Sequence, residues 1–224
     1  MNINLVTGGA GFIGSNLINL LLSKGEKVIC LDNFSTGSKD NIMNFHEFDN
    51  FEFMETNILN PIDIKVDKIW HFACPASPRY YYKNSIETTR ICFLGTYNIL
   101  ELARKNKCKL LFASSSEVYG NSEKVEQRES YFGNVDTQCI RSSYAEGKRV
   151  AELMAAIHSK QNPCEIKIAR CFAFVGPHLP LDTHFAIGNF IRDAIAGNII
   201  RINGDGTPHR TYLYAADLAI WLWT

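Results

Sequence analysis

The 224-residue sequence has no excess of charge of either sign: 23 lysines and arginines stand against 23 aspartates and glutamates, and the pI is near 7.0. That balance argues against a nucleic-acid groove or an anionic membrane surface as partner, because both recruit through a net basic field. No apolar run approaches the roughly 20 residues a membrane-spanning helix needs. Met1 leads straight into a core-like strand with no cleavable leader, so a cytoplasmic protein is expected. Internal repeats and low-complexity tracts are missing, which excludes a solenoid or a disordered linker. The seven cysteines (Cys30, Cys74, Cys92, Cys108, Cys139, Cys164 and Cys171) are odd in number and show no paired metal spacing. Reduced core thiols, no zinc site and no disulfide framework are expected.

What is present begins at residue 3. An apolar run, Ile3 to Val6, leads into Thr7-Gly8-Gly9-Ala10-Gly11-Phe12-Ile13-Gly14, a helical pattern follows, and Asp32 closes the next apolar run, Val28 to Leu31. A glycine-rich turn between a strand and a helix, answered by an acidic residue at the end of the next strand, is the pattern of a dinucleotide site. Gly8 or Gly9 permits the tight turn, Gly11 leaves room for a pyrophosphate, and Gly14 lets the helix lie close. Phe12 and Ile13 open the helix, whose unpaired N–H groups and positive dipole end favour phosphate. Asp32, with Asn33 beside it, is placed to accept from a ribose diol and to repel a 2′-phosphate, which favours NAD over NADP.

Further apolar runs at Phe51–Met54, Lys68–Ala73, Lys109–Ser114 and Glu165–Ala169 alternate with helical patterns, the signature of an α/β doubly wound parallel sheet. One helix is expected from Phe12, with Ile13, Leu17, Leu20 and Leu21 at helical spacing and Gly25 after Lys24 as its stop. Another should run from about Ser85 to Lys105 with Ile86, Ile91, Leu94, Ile99 and Leu102 on its buried side, and a third from about Ser143 to Lys160. After Gly176-Pro177 the order changes. A loop carrying His178, Pro180 and His184 precedes a helix at about 185–196, then a short strand and the turn Gly204-Asp205-Gly206. The expected division is a dinucleotide-binding domain over 1–172 and a partial substrate lobe over 173–224. The sequence stops inside an amphipathic pattern at 215–222, so a missing C-terminus is expected.

Tyr144-Ala145-Glu146-Gly147-Lys148 puts a phenol and an ammonium at i and i+4, on one face of the third helix. An ammonium there and a positive nicotinamide both favour the phenolate, so a lowered tyrosine pKa is expected. The run Leu110 to Ala113 ends in Ser114-Ser115-Ser116-Glu117-Val118-Tyr119-Gly120, which delivers hydroxyls and a carboxylate to the sheet's carboxyl edge. His71 reads as a satisfied core histidine, while His178, His184 and His209 lack ligand spacing. Trp70, Trp221 and Trp223 read as core or subunit-contact residues.

At these residues the chain resembles the extended short-chain dehydrogenase/reductase family of NAD-dependent epimerases and dehydratases, with a Rossmann fold. Within it, the chain is most similar to the UDP-glucuronate decarboxylases, through His71-Phe72-Ala73-Cys74-Pro75-Ala76-Ser77-Pro78, Ser115-Ser116-Glu117-Val118-Tyr119-Gly120 and Tyr144-Ala145-Glu146-Gly147-Lys148-Arg149. The resemblance implies that Tyr144 is the base, Lys148 orients the nicotinamide ribose, Ser115 bonds a sugar hydroxyl and Glu117 acts near sugar C5. It implies further that Asn57, Ile58 and Ala73 line the cofactor site, that Ser77 meets the substrate, and that Arg210 holds the diphosphate of a nucleotide sugar. Arg79, followed by Tyr80, Tyr81 and Tyr82, is a candidate to meet a substrate carboxylate or phosphate at the pocket mouth by its own charge, against the reading of a solvated arginine beside packing aromatics. It also implies a homodimer formed by the helices at about 85–105 and 143–160. The sequence departs from the family pattern at Asn57, usually acidic, at Cys92 and Ala173, usually asparagine, and at Arg79, usually proline.

The implied chemistry runs through a 4-keto sugar. Decarboxylation ranks first, because a β-keto acid loses carbon dioxide without an acid at C6. A 4,6-dehydratase ranks second, since Ser116 stands where related dehydratases have an aspartate and an alcohol is a far weaker acid. A 4-epimerase, which has no use for Glu117, ranks third. The reading from another class is a truncated paralogue that binds NAD or a nucleotide sugar without turning it over; Ser115, Tyr144 and Lys148 argue against it.

Overall fold

A computed structural model describes residues 1–182, 185–202 and 204–224. Six strands, β1 (Ile3–Thr7), β2 (Lys27–Asp32), β3 (Phe51–Glu55), β4 (Lys68–His71), β5 (Lys109–Ser115) and β6 (Ile166–Cys171), form one sheet. All pairs are parallel and the order is β3-β2-β1-β4-β5-β6. The fold class expected from the sequence is therefore observed. Sequence neighbours lie beside one another until β4 crosses to the far side of β1, and such a switch point opens a crevice at the carboxyl ends of the strands. Thr7 stands opposite both Leu31 and His71, which puts the ends of β1, β2 and β4 level at that crevice.

Two apolar layers cover the sheet. Helix α1 (Phe12–Ser23) packs Leu17, Ile18 and Leu21 on one face together with Leu218 and Leu222 of the last helix, α7 (Ala215–Trp223). On the other face, Ile99, Leu102 and Ala103 pack with Ala151 and Ala155 of α5 (Ser142–Gln161). Each leucine or isoleucine so buried contributes roughly 1.5–3 kcal/mol.

The helix expected over 85–105 is three pieces: α3 (Ser85–Arg90), a π turn (Ile91–Gly95) and α4 (Thr96–Asn106), preceded by a short α2 (Pro78–Lys83). Ile86, expected inside, is 78% exposed, and the buried face runs instead through Thr88, Ile91 and Cys92. Ile86 lies five residues before Ile91, which turns it away from the face that i−3 places Thr88 on.

After β6 come β7 (Ala173–Val175), α6 (Ala186–Ile195) and β8 (Tyr212–Tyr214), with β7 and β8 paired in parallel. The short strand expected after Gly197 does not form: residues 198–202 are irregular, and the second strand of this small sheet comes at 212. His184 lies outside the described residues. Of the tryptophans, Trp70 is buried and stacks on Trp223 at 6.2 Å, whereas Trp221 is 73% exposed. Four of the seven thiols are buried, Cys74 and Cys171 are half-buried, and Cys139 is exposed.

Candidate active site

The glycine turn is built by close approach. Gly8 has φ +71°, and a side chain there would strike the Ala73 backbone nitrogen at 2.7 Å. A Cβ at Gly14 would meet the Gly8 carbonyl and the Gly9 Cα. A Cβ at Gly11 would meet only the Gly8 oxygen, at 3.2 Å, which leaves its outer side open. Gly11 is the N-cap of α1, so the unpaired N–H groups of the first turn face a groove lined by Gly8, Gly11, Asp32, Asn33, Asn57, Ile58, Ala73 and Cys74. Phe12 and Ile13 are half-buried at the start of the helix.

Asp32 accepts from the Ala10 N–H at 3.0 Å and the Phe34 N–H at 2.9 Å. Its carboxylate therefore pins the glycine turn as well as facing the groove. Burial pushes its pKa up, and the hydrogen bonds from Phe34, Ala10 and Asn33 pull the other way. Asn57 accepts from the Leu59 N–H at 3.0 Å, and the Ile58 carbonyl accepts from Asn98 at 2.9 Å. Ile58 lies beneath Gly95, whose missing side chain leaves it room.

Across the switch point, β5 delivers Ser115, whose hydroxyl accepts from the Glu117 N–H at 3.2 Å and caps the 3-10 turn Ser116–Tyr119. α5 delivers Tyr144 and Lys148, both buried. Ser115 stands beside the Tyr144 phenol and favours its ionised form. Lys148 donates to the Ala113 carbonyl at 2.7 Å and lies over the Phe112 ring at 4.7 Å, with its nitrogen 5.8 Å from the centre of the Tyr144 ring. Burial, then the Cys74 thiol, push the Tyr144 phenol well above its ordinary value, and the neighbouring Ser115 hydroxyl draws it back. The lowering expected from Lys148 is thus not what the protein groups set by themselves, because removal of water outweighs them.

Two residues escaped sequence reasoning. Tyr81 of α2, 2% exposed, stacks face to face on Tyr144 at 5.4 Å and 5°. Arg141, just before α5, donates to both Glu117 oxygens, at 3.2 and 3.1 Å, and its charge acts on the Tyr81 phenol. Tyr81 and Arg141 lie 63 and 24 positions from Tyr144 and Glu117, so no local spacing announces them. His71 is the satisfied core histidine it was expected to be: Thr7 and Thr96 hydroxyls meet its two nitrogens at 2.7 and 3.2 Å, and burial lowers its pKa to about 3. Of the expected substrate residues, Ser77 is the half-buried N-cap of α2, and Arg79 is exposed two residues before Tyr81, on the opposite face of that helix. Arg210 is exposed in the loop before β8, and its guanidinium donates to the His209 carbonyl, not to any residue of the groove. The loop after β7 is tied to α1 by His178 on Ser15 at 2.8 Å and by Asn16 on the Pro177 carbonyl at 2.9 Å.

A switch-point groove beside half-buried Ser115 and buried Tyr144 and Lys148 defines a dinucleotide-binding fold, and comparison with known proteins makes the class specific. Residues 4–224 match the NAD dependent epimerase/dehydratase family, and the chain belongs to that family. UDP-glucuronic acid decarboxylase 6 of Arabidopsis thaliana is 41% identical over 215 residues, 96% of this chain and 63% of that protein. UDP-glucuronic acid decarboxylase 1 of Xenopus tropicalis is 41% identical over 96% of this chain and 51% of its own length. The chain therefore spans about half to two-thirds of these relatives. Among solved structures, a UDP-N-acetylglucosamine 4-epimerase from Methanobrevibacter ruminantium in complex with UDP-N-acetylmuramic acid superposes with TM-score 0.88 at 26% identity, covering 98% of this chain and 71% of that one. NAD is the cofactor of the family, and the open face at Gly11, the α1 N-terminus and the Asp32 carboxylate fit it.

Among the described residues no helix is long and apolar enough to cross a membrane, and none group as a metal site.

Proposed function

We propose that the chain carries the NAD-binding and acid–base part of a nucleotide-sugar enzyme that oxidises sugar C4, and that its reaction is decarboxylation of UDP-glucuronate. The observation that carries this reading is the grouping of Ser115 at the end of β5 with Tyr144 and Lys148 of α5, the Lys148 nitrogen 5.8 Å from the Tyr144 ring centre, at the strand ends beside the glycine turn. Tyr144 takes the proton of the C4 hydroxyl. NAD, when bound, supplies the acceptor for the hydride that leaves C4, and its positive ring offsets the burial that raises the phenol. Ser115 bonds the same sugar oxygen and the phenol, so the proton has a short path. Lys148 is held by Ala113 with further N–H donors left for a ribose.

A sugar carrying a 4-ketone and a C6 carboxylate is a β-keto acid, and its carbon dioxide leaves as the electrons move into the ketone. Glu117 is accompanied by Ser116 and Arg141, not by a second acid, which supports loss of carbon dioxide over loss of water. Ser77, Arg79 and Arg210 are proposed for the substrate side, with 173–224 as the beginning of the substrate lobe. Arg210 reaches the sugar nucleotide only if its loop closes. Exposed Phe93 and Tyr97 near α4 and Leu153 and Ile157 on α5 support a homodimer through these helices. Free thiols support a cytoplasmic setting.

Mass spectrometry of products after incubation with NAD and, separately, UDP-glucuronate, UDP-glucose and dTDP-glucose tests the proposal. Loss of carbon dioxide from the glucuronate supports it. Loss of water from a glucose nucleotide would replace it with a dehydratase.

A further inference from the structure

Behind the Tyr144–Tyr81 stack lies a pair of thiols that the reaction does not use. Cys74 Sγ and Cys92 Sγ are 3.2 Å apart, and both pack in one apolar cluster with Tyr81 and Tyr144. Cys74 follows β4 and lines the cofactor groove, whereas Cys92, in the π turn, is 2% exposed and backs onto Gly147. Cys74 is therefore the half-buried member at the groove, and Cys92 lies behind it. We propose that Cys74 and Cys92 form an oxidation site for hydroperoxides, which the bound dinucleotide shields.

The step balances with the hydroperoxide as oxidant. The Cys74 thiolate attacks the outer oxygen, the O–O bond breaks, and the leaving alkoxide or hydroxide takes a proton, giving Cys74 sulfenic acid. The Cys92 sulfur then attacks the Cys74 sulfur, water leaves with the Cys92 proton, and a disulfide forms. The hydrogen bond with Cys92 holds the Cys74 thiol down at about 7 despite burial, with help from the Lys148 charge, while Cys92 is raised. That asymmetry assigns attack to Cys74 and resolution to Cys92. Closing 3.2 Å to a bond of about 2.05 Å needs a combined movement of about 1.1 Å. This movement would draw the π turn toward the end of β4, directly against the ring of Tyr144.

The test reads chemistry at the thiols, not turnover, so its outcome is separate from that of the proposed reaction. The full chain is treated with hydrogen peroxide, alkylated and digested with trypsin without reduction. Tryptic peptides Ile69–Arg79 and Ile91–Arg104 each hold one of the pair. The expected result is one linked species at the sum of their masses less two hydrogens, split again by dithiothreitol. NAD at about a hundred times its dissociation constant should slow linking about a hundredfold, since only the free fraction reacts. Cys92→Ser should leave Cys74 to proceed to sulfinic acid, and Cys92→Ala serves if serine disturbs the fold. Two peptides that both remain alkylated after peroxide, or a Cys74 that reaches sulfinic acid in the native chain without linking, overturn the proposal. Linking at an equal rate with saturating NAD overturns the shielding.

Discussion

Replacing Asp32 by asparagine and by alanine separates its two jobs. In the fold its carboxylate accepts from the Ala10 and Phe34 N–H groups, and alanine leaves both without an acceptor. An unsatisfied buried donor costs about 1–3 kcal/mol, and with the Phe34 group only half-buried the Asp32→Ala loss should be about 2–4 kcal/mol. The Ala10 and Phe34 N–H groups bond to different carboxylate oxygens, so asparagine keeps an acceptor for one of them and turns its amide N–H toward the other. Removal of a charge that burial disfavours offsets part of this, and Asp32→Asn should lose about 1–2 kcal/mol, less than alanine. The pH dependence has a definite sign. Because the carboxyl pKa is raised in the fold, its favourable contribution is complete below the unfolded value of 3.8 and is lost as pH rises through the folded value. The native chain should therefore gain on the asparagine variant as the solution is acidified. Both variants lose a charged acceptor for the ribose diol, worth about 1.5–3 kcal/mol, or about a 10- to 150-fold weaker NAD affinity, with NADP affected less. Urea unfolding and calorimetric titration with each dinucleotide measure the two effects. Full NAD affinity and preference in Asp32→Asn, or equal stability of the two variants, would refute the reasoning.

Acid should unfold the protein partly through His71. Its pKa falls to about 3 in the fold from 6.5, so the stability it contributes is present above 6.5 and is lost as pH falls toward 3. By pH 5 that amounts to about 2 kcal/mol, and His71→Gln should flatten the urea-midpoint profile between pH 5 and 7; an unchanged slope counts against it. Gly147→Ala places a Cβ 2.7 Å from the Cys92 Cβ and 2.9 Å from its sulfur, so a loss of about 1–3 kcal/mol is expected in thermal or urea unfolding, and none if the π turn moves freely. Arg141→Ala should change stability by no more than about 1 kcal/mol, because the pair with Glu117 is half exposed. It should nevertheless lower kcat more than it raises KM, as Glu117→Gln should, and an unaltered kcat removes Arg141 from the site.

The glycine turn, Asp32 and the Tyr144–Lys148 pair were legible in the sequence because each is local: a few consecutive residues fix the geometry. The parallel sheet followed from apolar runs alternating with helical patterns, whereas its strand order, set by the crossovers, was not read from the sequence. The π turn was not legible, since it answers a contact between Cys92 and Gly147 of a different helix. Tyr81 and Arg141 were hidden because only the crossover from β4 to β5 and on to α5 brings them to Glu117 and Tyr144. The direction of the Tyr144 shift was missed because spacing places Lys148 near the ring but says nothing of how much water is removed. Arg210 is the opposite case: the motif assigns it a role while its loop leaves it outside the groove.

Release of labelled carbon dioxide from UDP-glucuronate carrying carbon-13 at its carboxyl tests the central claim most directly, with native protein and Tyr144→Phe compared in the presence of NAD. The account predicts labelled gas from the native chain and a rate about 10²–10⁴ lower from the variant, while calorimetry still finds NAD bound to it. Label retained in a product that has lost water or inverted C4, or equal release from the two proteins, would contradict it.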